Sequence, residues 1–141
     1  LHDNDYRREL ENEVKRYRLA DYAEFKFNVP FEDLRSYFVS SDVFLMMSEH
    51  EGFGVPILEA QYNELPVVAL SRAAVSSTIG DGQILIDELD YDLFAGTIHR
   101  VATDKDLRAS LIDAGKQNYN RFKTDKLEKD LTDLVRSVKT P

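Results

Sequence analysis

A glycine-rich turn with an acidic residue on either side carries the clearest chemical signal in this sequence. Residues 48–60 read SEHEGFGVPILEA, and we call residues 48–54 the glycine turn. Gly52 and Gly54 allow backbone amides to approach a ligand without a Cβ in the way, and Pro56 suits the first turn of a helix. A helix that begins after such a turn presents free N–H groups and a partial positive charge. The turn is therefore expected to bind a phosphate or a diphosphate.

Two carboxylates flank this expected anion site. Glu59 stands about one turn into the helix, and helical side chains lean towards the N-terminus, so its carboxylate points back at the turn. Glu51 would face the other end of the same ligand. Because carboxylates accept hydrogen bonds from hydroxyls, the pair suits a nucleotide-diphosphate sugar, which has hydroxyls at both ends and phosphates between them. The spacing of eight residues between Glu51 and Glu59 does not by itself indicate a ligand site. Glu24 and Glu32 have the same spacing and are interpreted as solvated.

Composition indicates a folded domain of ordinary size. Of the 141 residues, 43% are hydrophobic and 31% are charged, which supports a core and argues against disorder. No apolar run approaches the roughly 20 residues of a membrane-spanning helix. The lack of cysteine excludes disulfides, thiolate metal sites and a cysteine nucleophile, and it agrees with a cytoplasmic location. The three histidines have no metal-ligand spacing, so we expect no metal site.

The acidic balance narrows the choice of partners. A net charge of −8 repels nucleic acid and anionic lipid on average, so we expect no nucleic-acid partner. An anionic small molecule can still bind where backbone amides create a local positive field.

Apolar patterning predicts strands that alternate with helices. The predicted strands lie at 23–29, 43–47, 66–70 and 83–86, and the predicted helices at 4–18, 30–40, 54–63, 91–103, 106–121 and from 124 onward. This order indicates an α/β fold with a doubly wound parallel sheet of the Rossmann-like kind. Right-handed crossovers would then place the glycine turn and the loop at 71–82 at one sheet edge, where ligands bind.

The stretch from Glu51 to Ala60 resembles the signature E-G-F-G-x-P-x-x-E-A of the retaining glycosyltransferases of family 4 (group 1), which have the two-domain GT-B fold. The resemblance runs in the same order from about Tyr6 to Phe122. It includes residues 27–34 (FNVPFEDL), 41–45 (SDVFL), 65–69 (LPVVA) and 80–82 (GDG). Residues 48–51 also resemble those of mannosyl and similar hexosyl transferases of surface polysaccharide synthesis.

The resemblance implies a role for each matched residue. Glu51 would stand at the catalytic centre and bind hydroxyls of the donor sugar near the reacting carbon, without being assigned as a nucleophile. Glu59 would bind the nucleotide ribose, and Val29 would lie against the base. The amides of four consecutive residues would hold the sugar and the diphosphate: Gly52, Phe53, Gly54 and Val55. The implied reaction transfers a hexosyl group from a GDP-, UDP- or ADP-sugar to an acceptor hydroxyl with retention of configuration, without a separate cofactor.

The resemblance also implies that residues 1–141 form a single, partial nucleotide-sugar-binding domain. The family's acceptor-binding N-terminal domain and the first strands of its donor-binding domain have no match here. We therefore expect a fragment of a longer enzyme that is inactive alone. Its glycan or lipid-linked acceptor would contact the N-terminal domain, and peripheral membrane association of the full-length enzyme is compatible with this interpretation.

Three positions depart from the family pattern. Asn28 replaces the usual glycine of a strand exit, and asparagine tolerates similar backbone angles. Asn63-Glu64 replaces a Cys-Gly or Ala-Gly pair, which predicts a less typical helix end. Ser76-Ser77 replaces Pro-Glu and removes an acid from that loop.

Two other classes of protein share this α/β architecture. A non-catalytic α/β module that binds a nucleotide sugar or a protein partner stays open, and the upstream sequence would discriminate it from an enzyme. A sugar-nucleotide epimerase is disfavoured, because the sequence has no G-x-x-G-x-x-G loop.

Overall fold

The computed structural model describes residues 3–138, which fall into two compact units divided after Phe31. Its helices and strands follow in the order α1 (Asp3–Arg16), α2 (Phe31–Ser40), β1 (Phe44–Met46), α3 (Val55–Tyr62), β2 (Val67–Leu70), α4 (Val75–Thr78), β3 (Ile84–Ile86), α5 (Tyr91–Thr103), α6 (Lys105–Tyr119), a 3₁₀ helix (Asn120–Phe122) and α7 (Thr124–Val138).

The first unit contains α1 and the segment that follows it. Arg7 Nε donates a hydrogen bond to Glu11 Oε1 over 2.8 Å, and this guanidinium lowers the pKa of the Glu11 carboxyl. The Arg7 guanidinium also lies 4.3 Å from the centre of the Phe27 ring. The strand predicted at 23–29 is wrong, because this segment joins no ladder with a described strand. A strand needs a neighbour for its backbone groups, and α1 offers none within this unit.

The second unit is built on a parallel sheet with the strand order β1-β2-β3. Phe44 pairs with Val67, and Val68 pairs with Ile84. This arrangement confirms the predicted α/β class with a parallel, Rossmann-like sheet. The three predicted strands of this unit are present at slightly shorter lengths.

The central strand β2 is buried on both faces. Val67 and Ala69 point into one apolar cluster with residues of α2, α3 and α4, while Val68 and Leu70 point into a second cluster with residues of α5 and α6. None of these four side chains is more than 1% exposed. Alternate residues of a strand face opposite sides, so this wholly apolar run is explained by helices on both faces of the sheet.

Helix α3 ends in a Schellman motif. The N–H of Leu65 donates to the carbonyl of Ala60 over 2.9 Å, and the N–H of Glu64 donates to Gln61 over 3.2 Å. The hydrogen bonds are therefore those of a typical helix end, which corrects the prediction of a less typical one. What is unusual is the residue type: Glu64 has a φ of 60°, at which glycine is the usual residue because it has no Cβ.

Two further differences concern the helices. The loop predicted at 71–82 contains the four-residue helix α4, and the helix predicted at 106–121 ends at Tyr119 and continues as the 3₁₀ helix. In the first unit, Asn28 has a φ of 52°. This left-handed conformation is the one expected of a residue that replaces glycine.

Candidate functional site

The glycine turn connects β1 to α3 at the carboxyl end of the sheet, as predicted. Gly54 is the N-cap of α3 with a φ of 81°, and Pro56 lies in the first turn of the helix. Glycine is favoured here by its positive φ, and a Cβ on Gly54 would also lie only 3.2 Å from Ile57 Cδ1, a tight contact. Gly52 differs, because a Cβ added there would meet no atom within 4 Å.

The backbone amides of the turn face no acceptor in the part of the chain that the structure describes. The N–H groups of Gly52, Phe53, Gly54 and Val55 donate no hydrogen bond to another described residue. The carbonyl of Gly54 is used by the helix, since it accepts from the N–H of Ile57 over 2.9 Å. Unpaired amides at the start of a helix form a concentrated positive site that suits an anion.

Both flanking glutamates are half-buried. Among residues 3–138, neither the Glu51 nor the Glu59 carboxylate makes a hydrogen bond or an ion pair. Glu59 lies in the second turn of α3, and its carbonyl accepts a hydrogen bond from Asn63 Nδ2 over 2.8 Å. The helical Glu59 side chain leans towards the N-terminus of α3 and therefore towards the turn. Because neither carboxylate has a partner among the described residues, both are available for a ligand at the turn.

The loop after β2 contacts the glycine turn directly. The hydroxyl of Thr78, at the end of α4, donates a hydrogen bond to the carbonyl of Phe53. The Phe53 ring also packs edge-on against Phe122, with 5.8 Å between ring centres. The Thr78 hydrogen bond brings together the two loops that the sequence places at one sheet edge, and the Phe122 contact adds the 3₁₀ helix to the glycine turn.

A buried amide network supports this junction. Asn118 Nδ2 donates to Gln61 Oε1 over 2.8 Å and to the carbonyl of Thr78 over 2.7 Å. Gln61 Nε2 donates to the carbonyl of Ile79 over 2.7 Å. Both amide side chains are less than 5% exposed. Buried amides need such partners, so the network fixes the end of α4 between α3 and α6.

Sequence reasoning missed this network, although a signal was present. Gln61 follows Ile57 by four residues in α3, and Asn118 follows Leu111 by seven in α6, so each amide shares a helix face with a buried apolar residue. A polar residue on an apolar face indicates a buried hydrogen bond. The sequence does not show which two helices share it.

Other site predictions stay untested. Val29 is half-buried and belongs to the first unit, so its contact with a base stays a prediction. The described residues contain no group of three or more histidine or acidic side chains that could hold a metal ion. None of the described helices is both long and apolar enough to cross a membrane.

Comparisons with known proteins identify the family. Residues 3–118 match the family model of the glycosyl transferases group 1. The D-inositol 3-phosphate glycosyltransferase of Corynebacterium urealyticum is 31% identical over 113 residues, which cover 79% of this chain and 27% of that protein. The O-antigen chain mannosyltransferase B of Escherichia coli is 34% identical over 94 residues, which cover 67% of this chain and 25% of that protein. The chain therefore spans about a quarter of these two relatives.

A solved structure supports the fold. Anabaena HepE, crystallised in complex with UDP-glucose, aligns with 97% of this chain at a TM-score of 0.81 and 21% identity. The alignment covers 38% of the HepE chain. This likeness confirms the predicted Rossmann-like architecture. Because the family model covers most of the sequence, the chain belongs to the group 1 glycosyltransferases.

Proposed function

We propose that the protein transfers a hexosyl group from a nucleotide-diphosphate sugar to an acceptor hydroxyl with retention of configuration, as a member of the retaining family 4. One observation carries the proposal. The unpaired amides of residues 52–55 stand at the start of α3 between two half-buried carboxylates that have no partner among the described residues. This arrangement complements such a donor, because the amides would bind the phosphates in the middle and the two carboxylates would bind the hydroxyls at the two ends.

The chain's own groups would act mainly by electrostatics. Negative charge grows on the diphosphate as the bond to the sugar breaks, and fixed amides at a helix start stabilise it without having to reorganise. Glu51 would bind the sugar hydroxyls next to the reacting carbon and hold that carbon in position for the acceptor. Glu59 would bind the ribose hydroxyls and set the register of the nucleotide along the turn.

The named relatives support the choice of substrate class. One acts as a mannosyltransferase by name, and HepE was crystallised with UDP-glucose, so nucleotide donors of mannose and glucose are the first to test. We assign the acceptor, a glycan or a lipid-linked sugar, to the part of the full-length protein outside this chain. The cysteine-free sequence is compatible with a reaction in the cytoplasm.

The test is donor turnover by the full-length protein with GDP-, UDP- and ADP-hexoses, combined with NMR of the anomeric product. We expect transfer from one donor class with retained configuration. Glu51→Ala and Glu59→Ala should each lower kcat/KM by about 10- to 100-fold, since a hydrogen bond to a charged group contributes about 1.5–3 kcal/mol.

Glu64→Ala is the matched control for these variants. It removes an acid at the other end of α3, whose contact is an exposed ion pair with Lys116 Nζ at 3.1 Å, and turnover should stay normal. Normal turnover in both Glu51→Ala and Glu59→Ala, or a product of inverted configuration, would contradict the proposal.

A further inference from the structure

One side chain from the neighbouring loop holds the Phe53–Gly54 peptide. The Thr78 hydroxyl donates to the carbonyl of Phe53, and no other described donor contacts that oxygen. A trans peptide is planar, with its C=O and N–H pointing in opposite directions. Since the carbonyl points at the buried Thr78, the N–H of Gly54 points away from it and donates to no described residue.

Thr78 is itself held firmly in place. Its side chain is 1% exposed, and its N–H donates to the carbonyl of Ala74 over 3.1 Å. Its own carbonyl accepts from Asn118 Nδ2 over 2.7 Å, and the next carbonyl, of Ile79, accepts from Gln61 Nε2 over 2.7 Å. The hydroxyl therefore occupies a fixed position beside the glycine turn.

Gly54, which supplies the N–H of this peptide, gives the peptide the conformational freedom that such a hydrogen bond would restrain. Gly54 has a φ of 81°, and glycine adopts positive and negative φ about equally well. Without the hydrogen bond, the Phe53–Gly54 peptide can rotate and turn a carbonyl oxygen towards the ligand side. A carbonyl there would repel a phosphate oxygen, whereas an N–H would donate to it.

We propose that Thr78 is a positioning residue that orients the Gly54 N–H towards the diphosphate of the donor. This inference rests on the proposed function, since it assigns the diphosphate to the amides of the glycine turn. The sequence motif contains the glycines but not Thr78, which stands 25 residues from Phe53.

The experiment measures the dissociation constants of UDP, GDP and ADP for the full-length protein and its variants by isothermal titration calorimetry. Thr78→Val keeps the shape of the side chain and removes the hydroxyl. We expect it to raise the dissociation constant of the diphosphate that wild type binds best by at least about 10-fold. Thr78→Ser retains the hydroxyl and should bind within about threefold of wild type.

A control and a second pair of variants separate positioning from folding. Ser77→Ala removes the adjacent hydroxyl, which donates to the carbonyl of Ala74 over 2.8 Å and does not contact the turn. The affinity of this variant for the diphosphate should therefore equal that of wild type. If Thr78→Val does not fold, Thr78→Ala compared with Thr78→Ser isolates the same hydroxyl. The matching nucleoside, which has no phosphate, should bind all folded variants equally.

The outcomes distinguish the two claims. The positioning role is overturned if a folded Thr78→Val variant binds the diphosphate as tightly as wild type, or if Thr78→Ala binds it as tightly as Thr78→Ser. Either result leaves the proposed function in place. Equal losses for the nucleoside and the diphosphate overturn it as well, because they indicate a general structural defect. A wild type that binds none of the three diphosphates overturns both claims.

Discussion

Asn118 occupies the space that a side chain on Gly80 would need. A Cβ built on Gly80 would lie 2.2 Å from Asn118 Oδ1, and the φ of Gly80 is 76°. The same oxygen accepts a hydrogen bond from Arg121 over 2.9 Å. Gly80 is thus required by conformation and by space, and it gives the amide network access to the backbone at the end of α4.

Gly80→Ala should therefore destabilise the protein strongly. The added methyl would displace Asn118 and leave buried groups of Gln61 and Thr78 unpaired, in addition to the strain of a positive φ. We expect a loss of more than about 2 kcal/mol, measured as a fall in Tm by scanning calorimetry.

Gly96→Ala serves as the matched control for this substitution. A Cβ on Gly96 meets nothing within 4 Å, and the residue lies inside α5. Alanine there should stabilise by about 0.5–1 kcal/mol. If Gly80→Ala melted at the temperature of Gly96→Ala, the importance given to Asn118 would be mistaken.

Glu64→Gly should stabilise the protein. Glu64 stands at the left-handed position of the Schellman motif with a φ of 60°, which is costly for a residue with a Cβ. The substitution also removes the exposed ion pair with Lys116, which contributes little. We expect a net gain of about 0.5–1 kcal/mol, seen as a higher Tm.

Glu64→Gln isolates the effect of the charge, because it retains the Cβ and loses only the ion pair. Its stability should stay within about 0.5 kcal/mol of wild type. Equal melting temperatures for Glu64→Gly and Glu64→Gln would argue against backbone strain at this position.

Gly52→Ala should separate ligand binding from folding. A Cβ at Gly52 meets open space, so the free protein should keep its Tm. If the donor occupies that space, the methyl group should raise the dissociation constant of the donor by at least about 10-fold. Titration calorimetry with the full-length protein checks this, and an unchanged affinity would place the donor away from Gly52.

The sequence predicts the elements of the second unit well, because their signals are local. The run from Pro66 to Leu70 is wholly apolar, and β2 contributes alternate residues to the cores on both faces. The glycines and Pro56 predict the start of α3 for steric reasons that need no partner. Local chemistry is sufficient where a residue's own backbone preference decides the structure.

Local signals fail where a neighbour decides the structure. Residues 23–29 alternate like a strand but form no ladder with a described strand, since pairing depends on what lies beside them. Helix α4 was missed because four residues give too short a pattern to detect. The hydrogen bond between Asn118 and Gln61 joins residues 57 apart, which no periodicity reveals.

The position of the diphosphate in a crystal structure of the full-length protein with its donor tests the central claim most directly. We expect phosphate oxygens about 3 Å from the amide nitrogens of Gly54 and Val55, and ribose hydroxyls on the Glu59 carboxylate. A donor bound elsewhere, or turn amides paired with the protein's own carbonyls in the complex, would contradict the account.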